Sequence, residues 1–395
     1  MSKEKWLTLF KEKLETAKQA RGQFYTTQAD HILSGLPPPP AGMRCVEPFA
    51  GKGDLLLWIR AQRPAAVIEA YDIEPKHPEV RRRDTLRHPP NYNGAWVVTN
   101  PPYLARNKSA QKDIYEMYDT NDLYRCFITS LTAQTPAGGI LIIPSSFFLS
   151  SREADIRCRH DFMSGYRLTH VRYFENPAFD DTSSTIVAIA FLRSEPLSEQ
   201  SVLWESVPSG AKRIFTVSER TSWVVAGEIG LLPTAPGVSF RRSVDGHPLR
   251  PGEQQTYLTL NAIDSGRATG RIEMTYRPGF VYPAKDSSRT YATMRITGRT
   301  LSESEQRRLC ARFNEWVKKK REETWSLFLP QFRESKEYAR KRITFELAYH
   351  ILLHLLTEDL AEDLPEPADE ENDAEKKKQP VAEVESKGDQ TDGEK

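Results

Sequence analysis

The 395-residue sequence has few cysteines and no long apolar run, and each deficit excludes a class of protein. Its four cysteines, Cys45, Cys126, Cys158 and Cys310, are scattered and form neither a CxxC pair nor a zinc-ligand spacing. No segment approaches the ~20 apolar residues that a membrane helix needs, and the N-terminus has no apolar leader. We therefore expect no disulfide framework, no metal site and no membrane span. A reducing compartment, cytoplasmic or nuclear, fits this cysteine usage.

The chain also has a net charge of only +1, but this near-even balance hides two opposite parts. The whole sequence has 55 basic and 54 acidic residues. Residues 358–395 contain 15 acidic and 5 basic residues, a net charge of −10, and no aromatic residue. The rest carries 50 basic and 39 acidic residues, a net charge of +11. We predict a disordered acidic tail over 358–395, and a basic body of this kind is compatible with an anionic partner such as nucleic acid.

Strand and helix patterns alternate through the first half of the chain. Residues 1–42 contain an amphipathic helix over 3–20 and a proline-rich connector. Residues 43–197 then alternate apolar strands with helices, which predicts an α/β domain with a mostly parallel, doubly wound sheet. The β-rich runs 168–174 and 185–192 have no clear helix between them, so we predict an antiparallel hairpin at the sheet edge. Residues 198–357 form a second, mixed α/β region with helices after Ser302.

Three features with cofactor-binding chemistry follow one another along the sequence. The loop Glu47–Asp54 (EPFAGKGD) lies at a strand-to-helix junction, where glycines let the backbone approach a ligand. Asp72 ends the next strand, where an acid can accept hydrogen bonds from ribose hydroxyls. Asp84 follows three arginines and could accept from an adenine amino group. The loop lacks the full GxGxxG pattern, so these features together favour a cofactor with ribose and adenine but no essential pyrophosphate.

The fourth feature is Asn100-Pro101-Pro102-Tyr103, directly after the strand run AWVVT. The two prolines fix φ and remove two backbone donors, which leaves carbonyl oxygens to accept hydrogen bonds. The Asn100 side-chain oxygen and the Pro101 carbonyl can both accept from one amino group, and Tyr103 offers an aromatic face. This pattern is typical of a site that holds a planar ring with an exocyclic amine.

These motifs resemble those of the S-adenosylmethionine-dependent N6-adenine DNA methyltransferases. Asn100–Tyr103 (NPPY) matches that group's catalytic signature, and Glu47–Asp54 resembles its methionine-binding loop. Phe24–Thr27 resembles its N-terminal cofactor motif, Asn121–Arg125 the following helix start, and 176–184 the late loop whose aromatic packs against the flipped base. The motif order is similar to that of the gamma class. The resemblance covers about residues 20–195 and implies a Rossmann-like methyltransferase sheet, S-adenosylmethionine as the cofactor and double-stranded DNA as the partner.

The resemblance implies a role for each matching residue. Asn100, Pro101, Pro102 and Tyr103 would be catalytic, and Tyr103 and Phe179 would stack on the target base from its two sides. The cofactor-binding residues would be Tyr25, Thr26, Glu47, Phe49, Ala50, Gly51, Asp72, Ile73, Asp84 and Asn100. Residues 198–357 would read the target sequence, with arginines such as Arg241, Arg242 and Arg295 binding guanine edges or phosphates.

The implied reaction is direct methyl transfer to the N6 amine of an adenine extruded from the duplex. Hydrogen bonds to Asn100 and to the Pro101 carbonyl would localise the nitrogen lone pair, so no covalent enzyme intermediate is needed. Three alternatives stay open: an RNA adenine-N6 methyltransferase, a DNA cytosine-N4 methyltransferase, and a catalytically silent, DNA-binding subunit. The sequence shows no PD…ExK nuclease cluster, so DNA cleavage would require a separate restriction endonuclease.

Overall fold

The structure is a computed structural model that describes residues 26, 28–176, 178–179, 185–264, 271–333 and 339–362. Side chains are described for all of these except 331–333, 339 and 358–362. The predicted helix over residues 3–20 and the cofactor residue Tyr25 lie outside the described residues. Among the helices that are described, none combines the length and the apolar character that crossing a membrane requires.

Helices and strands alternate from Ala29 to Met163, as the sequence patterns predict. The α-helices of the described chain are α1 (Ala29–Leu33), α2 (Asp54–Gln62), α3 (Asp113–Met117), α4 (Leu123–Thr132), α5 (Ser146–Leu149), α6 (Glu153–Met163), α7 (Glu303–Thr324) and α8 (Phe345–Glu362). The first nine strands are β1 (Cys45–Glu47), β2 (Ile68–Asp72), β3 (Val80–Arg82), β4 (Trp96–Thr99), β5 (Gly138–Pro144), β6 (Tyr166–Phe174), β7 (Ile186–Arg193), β8 (Glu199–Val207) and β9 (Lys212–Ser218). The remaining six are β10 (Ser239–Arg242), β11 (Glu253–Asn261), β12 (Glu273–Tyr276), β13 (Tyr291–Thr297), β14 (Gln331–Arg333) and β15 (Ala339–Lys341).

Nine strands form one mixed sheet in the order β3-β2-β1-β4-β5-β7-β6-β8-β9. Strands β1 to β5 are parallel, whereas β7 runs antiparallel to both β5 and β6. This arrangement confirms the predicted Rossmann-like sheet and its antiparallel hairpin. The hairpin is not at the edge, however, because β8 joins β6 in parallel and β9 follows it.

Alternate residues of the central strands supply the cores on the two faces of this sheet. In β5, Leu141 and Ile143 belong to one hydrophobic cluster, while Ile140 and Ile142 belong to the other, and all four are fully buried. Each such side chain contributes roughly 1.5–3 kcal/mol on burial. Burial on both faces explains why this strand reads as a continuous apolar run rather than an alternating one.

A second, antiparallel sheet of four strands has the order β10-β13-β11-β12. Helices α7 and α8 pack against it, and α7 begins with a capping box between Ser302 and Glu305. One contiguous hydrophobic cluster extends from Val46 in the first sheet through Leu258 in the second to Leu356 in α8. The first sheet continues to Ser218, past the predicted domain boundary at residue 197. In addition, α8 extends to Glu362, so residues 358–362, predicted as disordered tail, are helical.

Candidate functional site

The carboxyl ends of β1, β2 and β4 bring Glu47, Asp72 and Asn100 to one edge of the large sheet. Parallel strands expose their ends at the same edge, which is where α/β folds bind ligands. A cavity of about 670 Å³ opens at this edge. Six of the predicted cofactor-binding residues line it, namely Phe49, Gly51, Asp72, Ile73, Asp84 and Asn100, together with the predicted catalytic residue Pro102.

The loop after β1 depends on its two glycines. Gly51 and Gly53 have φ angles of 50° and 85°, in the left-handed region that other residues rarely adopt. A Cβ on Gly53 would also lie 2.9 Å from the ring of His77. Ala50 is buried, and its amide donates to the carbonyl oxygen of Tyr71 at 2.8 Å. The loop is therefore held against the end of β2, with Ala50 behind the cavity wall rather than in it.

Asp72 joins the ends of two strands through its carboxylate. Oδ2 accepts from the amide of Gly51 at 2.8 Å, and Oδ1 accepts from the amide of Glu74 at 2.7 Å. The residue is only 6% exposed, yet it lines the cavity. Each carboxylate oxygen has a second lone pair, so Asp72 can still accept hydrogen bonds from a ligand hydroxyl.

Glu47 lies behind the cavity with a carboxyl group that is not fully satisfied. It is 1% exposed, and its Oε2 has no hydrogen-bond partner among the described residues. Burial raises the pKa of Glu47 well above its ordinary value, and the nearby carboxylates of Asp54 and Asp72 raise it further. A cationic ligand beside these three carboxyl groups would offset the cost of burying a negative charge and the repulsion between the carboxylates. The site thus fits S-adenosylmethionine, which carries a sulfonium and an ammonium group.

The part of the cavity wall that includes Ile73 and Asp84 has apolar and polar groups suited to a flat ring. Asp84 accepts from the amide of Arg87 at 3.2 Å and forms an ion pair with its guanidinium at 3.4 Å. Arg87 also pairs with Asp113 at the start of α3, on the segment after the NPPY motif. Ile73 is an apolar side chain left 50% exposed at the cavity wall. A ligand ring could pack on Ile73 while its amine donates to Asp84.

The NPPY motif has a fixed amide next to this cavity. Asn100 is 6% exposed, and its Nδ2 donates to the Thr26 hydroxyl at 3.1 Å. Its Oδ1 accepts from the Tyr103 hydroxyl, which is also 2.6 Å from the carbonyl oxygen of Ile142. Burial, together with Asp122 and Tyr124, holds the pKa of Tyr103 well above its ordinary value, so Tyr103 stays a donor. Because Oδ1 has a second lone pair, Asn100 can accept from a further amine.

The two predicted stacking rings are not presented to the cavity. Phe179 is 6% exposed and belongs to the cluster that includes Ile142 and Phe174. Tyr103 is half-buried, packs against the same cluster, and has Tyr124 edge-on at 6.3 Å. Stacking by Phe179 would therefore require its side chain to leave the core. Both stacking roles stay predictions.

Sequence reasoning missed a buried network behind the NPPY motif. Arg125 pairs with Asp155 at 2.5 Å, and the Tyr124 hydroxyl donates to the same carboxylate oxygen at 3.0 Å. The segment Asn121–Arg125 (NDLYR), which matches a family motif, pointed to Tyr124 and Arg125. No sequence pattern pointed to Asp155, because it lies on another helix, 30 positions after Arg125.

The arginines predicted to contact DNA are largely satisfied within the protein. Arg241 pairs with Glu253 through two nitrogens, and Arg242 donates to the carbonyl oxygens of Asp286 and Ser288. Arg295 is buried and donates to protein oxygens, among them the carbonyl of His247 at 2.8 Å. Arg295 thus has a structural role in the second sheet.

Part of the chain matches a known protein family. Residues 94–179 match the family model of the Eco57I restriction-modification methylase. The matched segment contains the NPPY motif and ends at Phe179, and it spans less than a quarter of the chain. A search of curated protein sequences finds no significant match.

Several solved structures are similar to part of this chain at low identity. The methyltransferase subunit of a type I restriction-modification system from Streptococcus thermophilus has 16% identity and a TM-score of 0.34, covering 47% of this chain and 48% of that one. The type IIG restriction endonuclease BpuSI has 16% identity and a TM-score of 0.39, covering 59% and 38%. A Listeria monocytogenes protein described as a class I S-adenosylmethionine-dependent methyltransferase has 13% identity and a TM-score of 0.33, covering 46% and 64%. The chain thus spans less than two thirds of the length of each, and at these scores the likenesses carry no conclusion about activity.

Proposed function

We propose that this chain is a restriction-modification methyltransferase that transfers a methyl group from S-adenosylmethionine to adenine N6 in double-stranded DNA. The observation that carries the proposal is the Asn100 amide, which is fixed between Thr26 and Tyr103 and lines a cavity that is also lined by the carboxylates of Asp72, Glu74 and Asp84. The match of residues 94–179 to a restriction-modification methylase supports the same class of enzyme.

When bound, S-adenosylmethionine supplies a methyl group activated by its positive sulfur. The chain's own residues provide recognition and orientation. Glu47 would pair with the ammonium group, Asp72 would accept from the ribose, and Asp84 would accept from the adenine amine. Gly51 and Gly53 allow the backbone to come close to the ligand. These assignments follow from the donor and acceptor chemistry at the cavity.

The target amine would be held by the NPPY motif. Asn100 Oδ1 and the Pro101 carbonyl oxygen would each accept a hydrogen bond from this amine. These two hydrogen bonds favour a tetrahedral nitrogen with a localised lone pair. The nitrogen then attacks the methyl carbon in line. The N–C bond forms as the S–C bond breaks, the S–C electron pair stays on sulfur, and one amine proton passes to water. Positioning and electrostatics therefore supply the catalysis. DNA cleavage would be carried out by a separate restriction endonuclease.

The first test is the Asn100→Ala variant. We expect it to lose methyl transfer while it keeps DNA binding, because it removes an acceptor and leaves the basic surface intact. The assay measures transfer from labelled S-adenosylmethionine to total DNA, followed by nucleoside analysis of the product. The matched control is Asn91→Ala, an exposed asparagine before β4 on the opposite edge of the sheet.

The nucleoside analysis separates the competing functions. N6-methyladenine in duplex DNA supports the proposal, whereas N4-methylcytosine or transfer to RNA alone identifies one of the alternatives. Full methylation by Asn100→Ala would contradict the role of this residue. Sequencing of modified bases in DNA from cells that express the protein then gives the recognition site.

A further inference from the structure

One arginine at the cavity connects the proposed cofactor site to a segment that the proposed reaction does not use. Arg87 lies in the turn after β3, and it lines the cavity. Its Nε lies 3.4 Å from Oδ2 of Asp84, and its Nη2 pairs with Oδ2 of Asp113. Arg87 and Asp113 are 26 positions apart, so one guanidinium group joins two separate parts of the chain.

Residues 104–123, which we call the strap, leave the end of the NPPY motif and return to it. An antiparallel bridge pairs Ala105 with Asp122, and the amide of Leu123 donates to the carbonyl oxygen of Leu104 at 3.2 Å. Between these ends the strap contains α3. Six strap residues line the cavity, namely Leu104, Ser109, Ala110, Gln111, Ile114 and Leu123. The strap is therefore one wall of the cavity.

Another wall of the cavity is the turn at residues 84–88. Asp84 organises this turn, because its Oδ1 accepts from the Arg87 amide at 3.2 Å and its carbonyl oxygen accepts from the His88 amide at 2.8 Å. The strap contacts the same turn a second time through Tyr118, whose hydroxyl donates to the carbonyl oxygen of Leu86 at 2.5 Å. The turn and the strap are thus joined by a neutral hydrogen bond and by the ion pair of Arg87.

Arginine is suited to this double contact. Its planar guanidinium group presents donors in two directions and can bind two carboxylates at once, whereas a lysine ammonium is a single point charge. Because Asp84 and Asp113 both contact the same guanidinium group, their mutual repulsion would rise if it were removed. The ion pair therefore holds the Asp84 carboxylate at the cavity, and it holds Asp113 beside Ile114, which lines the cavity.

We propose that Arg87 is a positioning residue for the cofactor, which orients the Asp84 carboxylate toward the adenine amine and holds the strap at the same end of the ligand. This inference rests on the proposed function, which places S-adenosylmethionine in the cavity with its adenine at Asp84. The transfer step takes place at Asn100, whose amide is held by Thr26 and Tyr103 and not by Arg87. Removal of Arg87 therefore weakens cofactor binding and leaves the transfer step intact.

Calorimetric titration with S-adenosylmethionine tests the inference. The variants are Arg87→Gln, Asp113→Asn and the two combined, and the control is Arg106→Gln, whose ion pair with Glu116 connects two residues of the strap. We expect Kd to rise about two- to fivefold for each single variant, the range that a partly exposed ion pair supplies. The combined variant should bind as Arg87→Gln does, because both substitutions remove the same contact. The control should bind as tightly as the wild type.

Steady-state kinetics with total DNA as the methyl acceptor separate positioning from a structural role. KM for S-adenosylmethionine should rise together with Kd, while kcat at saturating cofactor and the unfolding temperature stay at their wild-type values, since the ion pair is partly in solvent. Three results would each overturn the inference: an unchanged Kd for both single variants, a combined effect equal to the product of the single effects, or a lower kcat at unchanged KM. A wild-type protein that does not bind S-adenosylmethionine would instead contradict the proposed function.

Discussion

At the residue scale, Glu47 has a carboxyl group that the fold buries without a cationic partner among the described residues. Its raised pKa means that the folded protein holds this proton at pH values where the unfolded chain has released it. Between the ordinary pKa of 4.5 and the raised value, the folded state binds more protons than the unfolded state. Stability without a ligand therefore falls as the pH rises through that range. A bound cation would reverse the preference by favouring the ionised form.

The Glu47→Gln variant tests this link between stability and binding. Without cofactor, we expect its unfolding temperature to fall less between acidic and neutral pH than that of the wild type. We also expect its affinity for S-adenosylmethionine to fall by at least about tenfold, since a hydrogen bond to a charged group contributes about 1.5–3 kcal/mol. Thermal unfolding over a pH series and titration calorimetry measure the two effects.

A matched control is Glu79→Gln, an exposed carboxylate that pairs with Arg60. It should change neither measurement, because its ion pair is in solvent. If Glu47→Gln bound the cofactor as tightly as the wild type, Glu47 would not be the partner of the ammonium group.

Six of the ten cofactor-binding residues that the sequence predicts line the cavity, because their positions follow from strand ends. Asp72 and Asn100 each end or directly follow an apolar run, and a parallel sheet must bring such residues to one edge. The sequence did not predict that Phe179 would be buried, because the local pattern is the same for an aromatic that faces a ligand and one that faces the core. That difference is decided by the hydrophobic cluster that Phe179 joins, whose members include Ile142 from a distant part of the chain.

At the scale of elements, helices α4 and α6 support the NPPY motif from behind. Arg125 and Asp155 form a nearly fully buried ion pair between them, with side-chain exposures of 8% and 1%. The same carboxylate accepts from Tyr124, whose ring packs edge-on against Tyr103. The position of Tyr103, and through it that of the Asn100 amide, thus depends on a contact between two helices.

The Asp155→Asn variant tests this support. It leaves the Arg125 guanidinium buried without a carboxylate, and removing one partner of a buried pair typically costs about 3–5 kcal/mol. We expect a loss of that size in the free energy of unfolding, measured by denaturant titration. The double variant Arg125→Met with Asp155→Leu removes both charges and should recover much of the stability.

The double variant also isolates the positioning role. Its Tyr124 hydroxyl has lost its acceptor, so we expect kcat to stay low while KM for S-adenosylmethionine changes little. Recovery of kcat together with stability would mean that the pair acts only in folding.

The bounds of the helices and strands show which sequence patterns predict secondary structure correctly. Helix α2 was predicted over 54–62, as observed, because its residues form one apolar run between a glycine-rich start and a proline. Strand β3 was missed because the sequence VRR has no apolar alternation. Strands β8 and β9 were assigned to a second region because they follow a change in rhythm near residue 195. Their place in the first sheet is set by pairing with β6, which local patterns do not encode.

At the scale of the whole molecule, one hydrophobic cluster connects the two sheets. A shared core of this kind holds the second sheet at a fixed place relative to the candidate site. It also brings β15 to the end of β6, where Lys341 Nζ donates to the Tyr173 hydroxyl. The order of strands and helices was predictable from alternating patterns. The contact between β15 and β6 was not, because Lys341 and Tyr173 are 168 positions apart and no local signal relates them.

The charge division of the chain leads to a prediction about the acidic segment after α8. Residues 363–395 contain 12 acidic and 5 basic residues, a net charge of −7. A linked acidic segment competes with DNA phosphates for the basic body, and its deletion should raise the affinity for a short mixed-sequence duplex. The salt dependence of binding should become steeper as well, because DNA would then contact the cations that the segment had screened. The control replaces the segment with a neutral Gly/Ser sequence of equal length, which should behave like the deletion. An unchanged dissociation constant over the whole salt series would show that the segment does not compete with DNA.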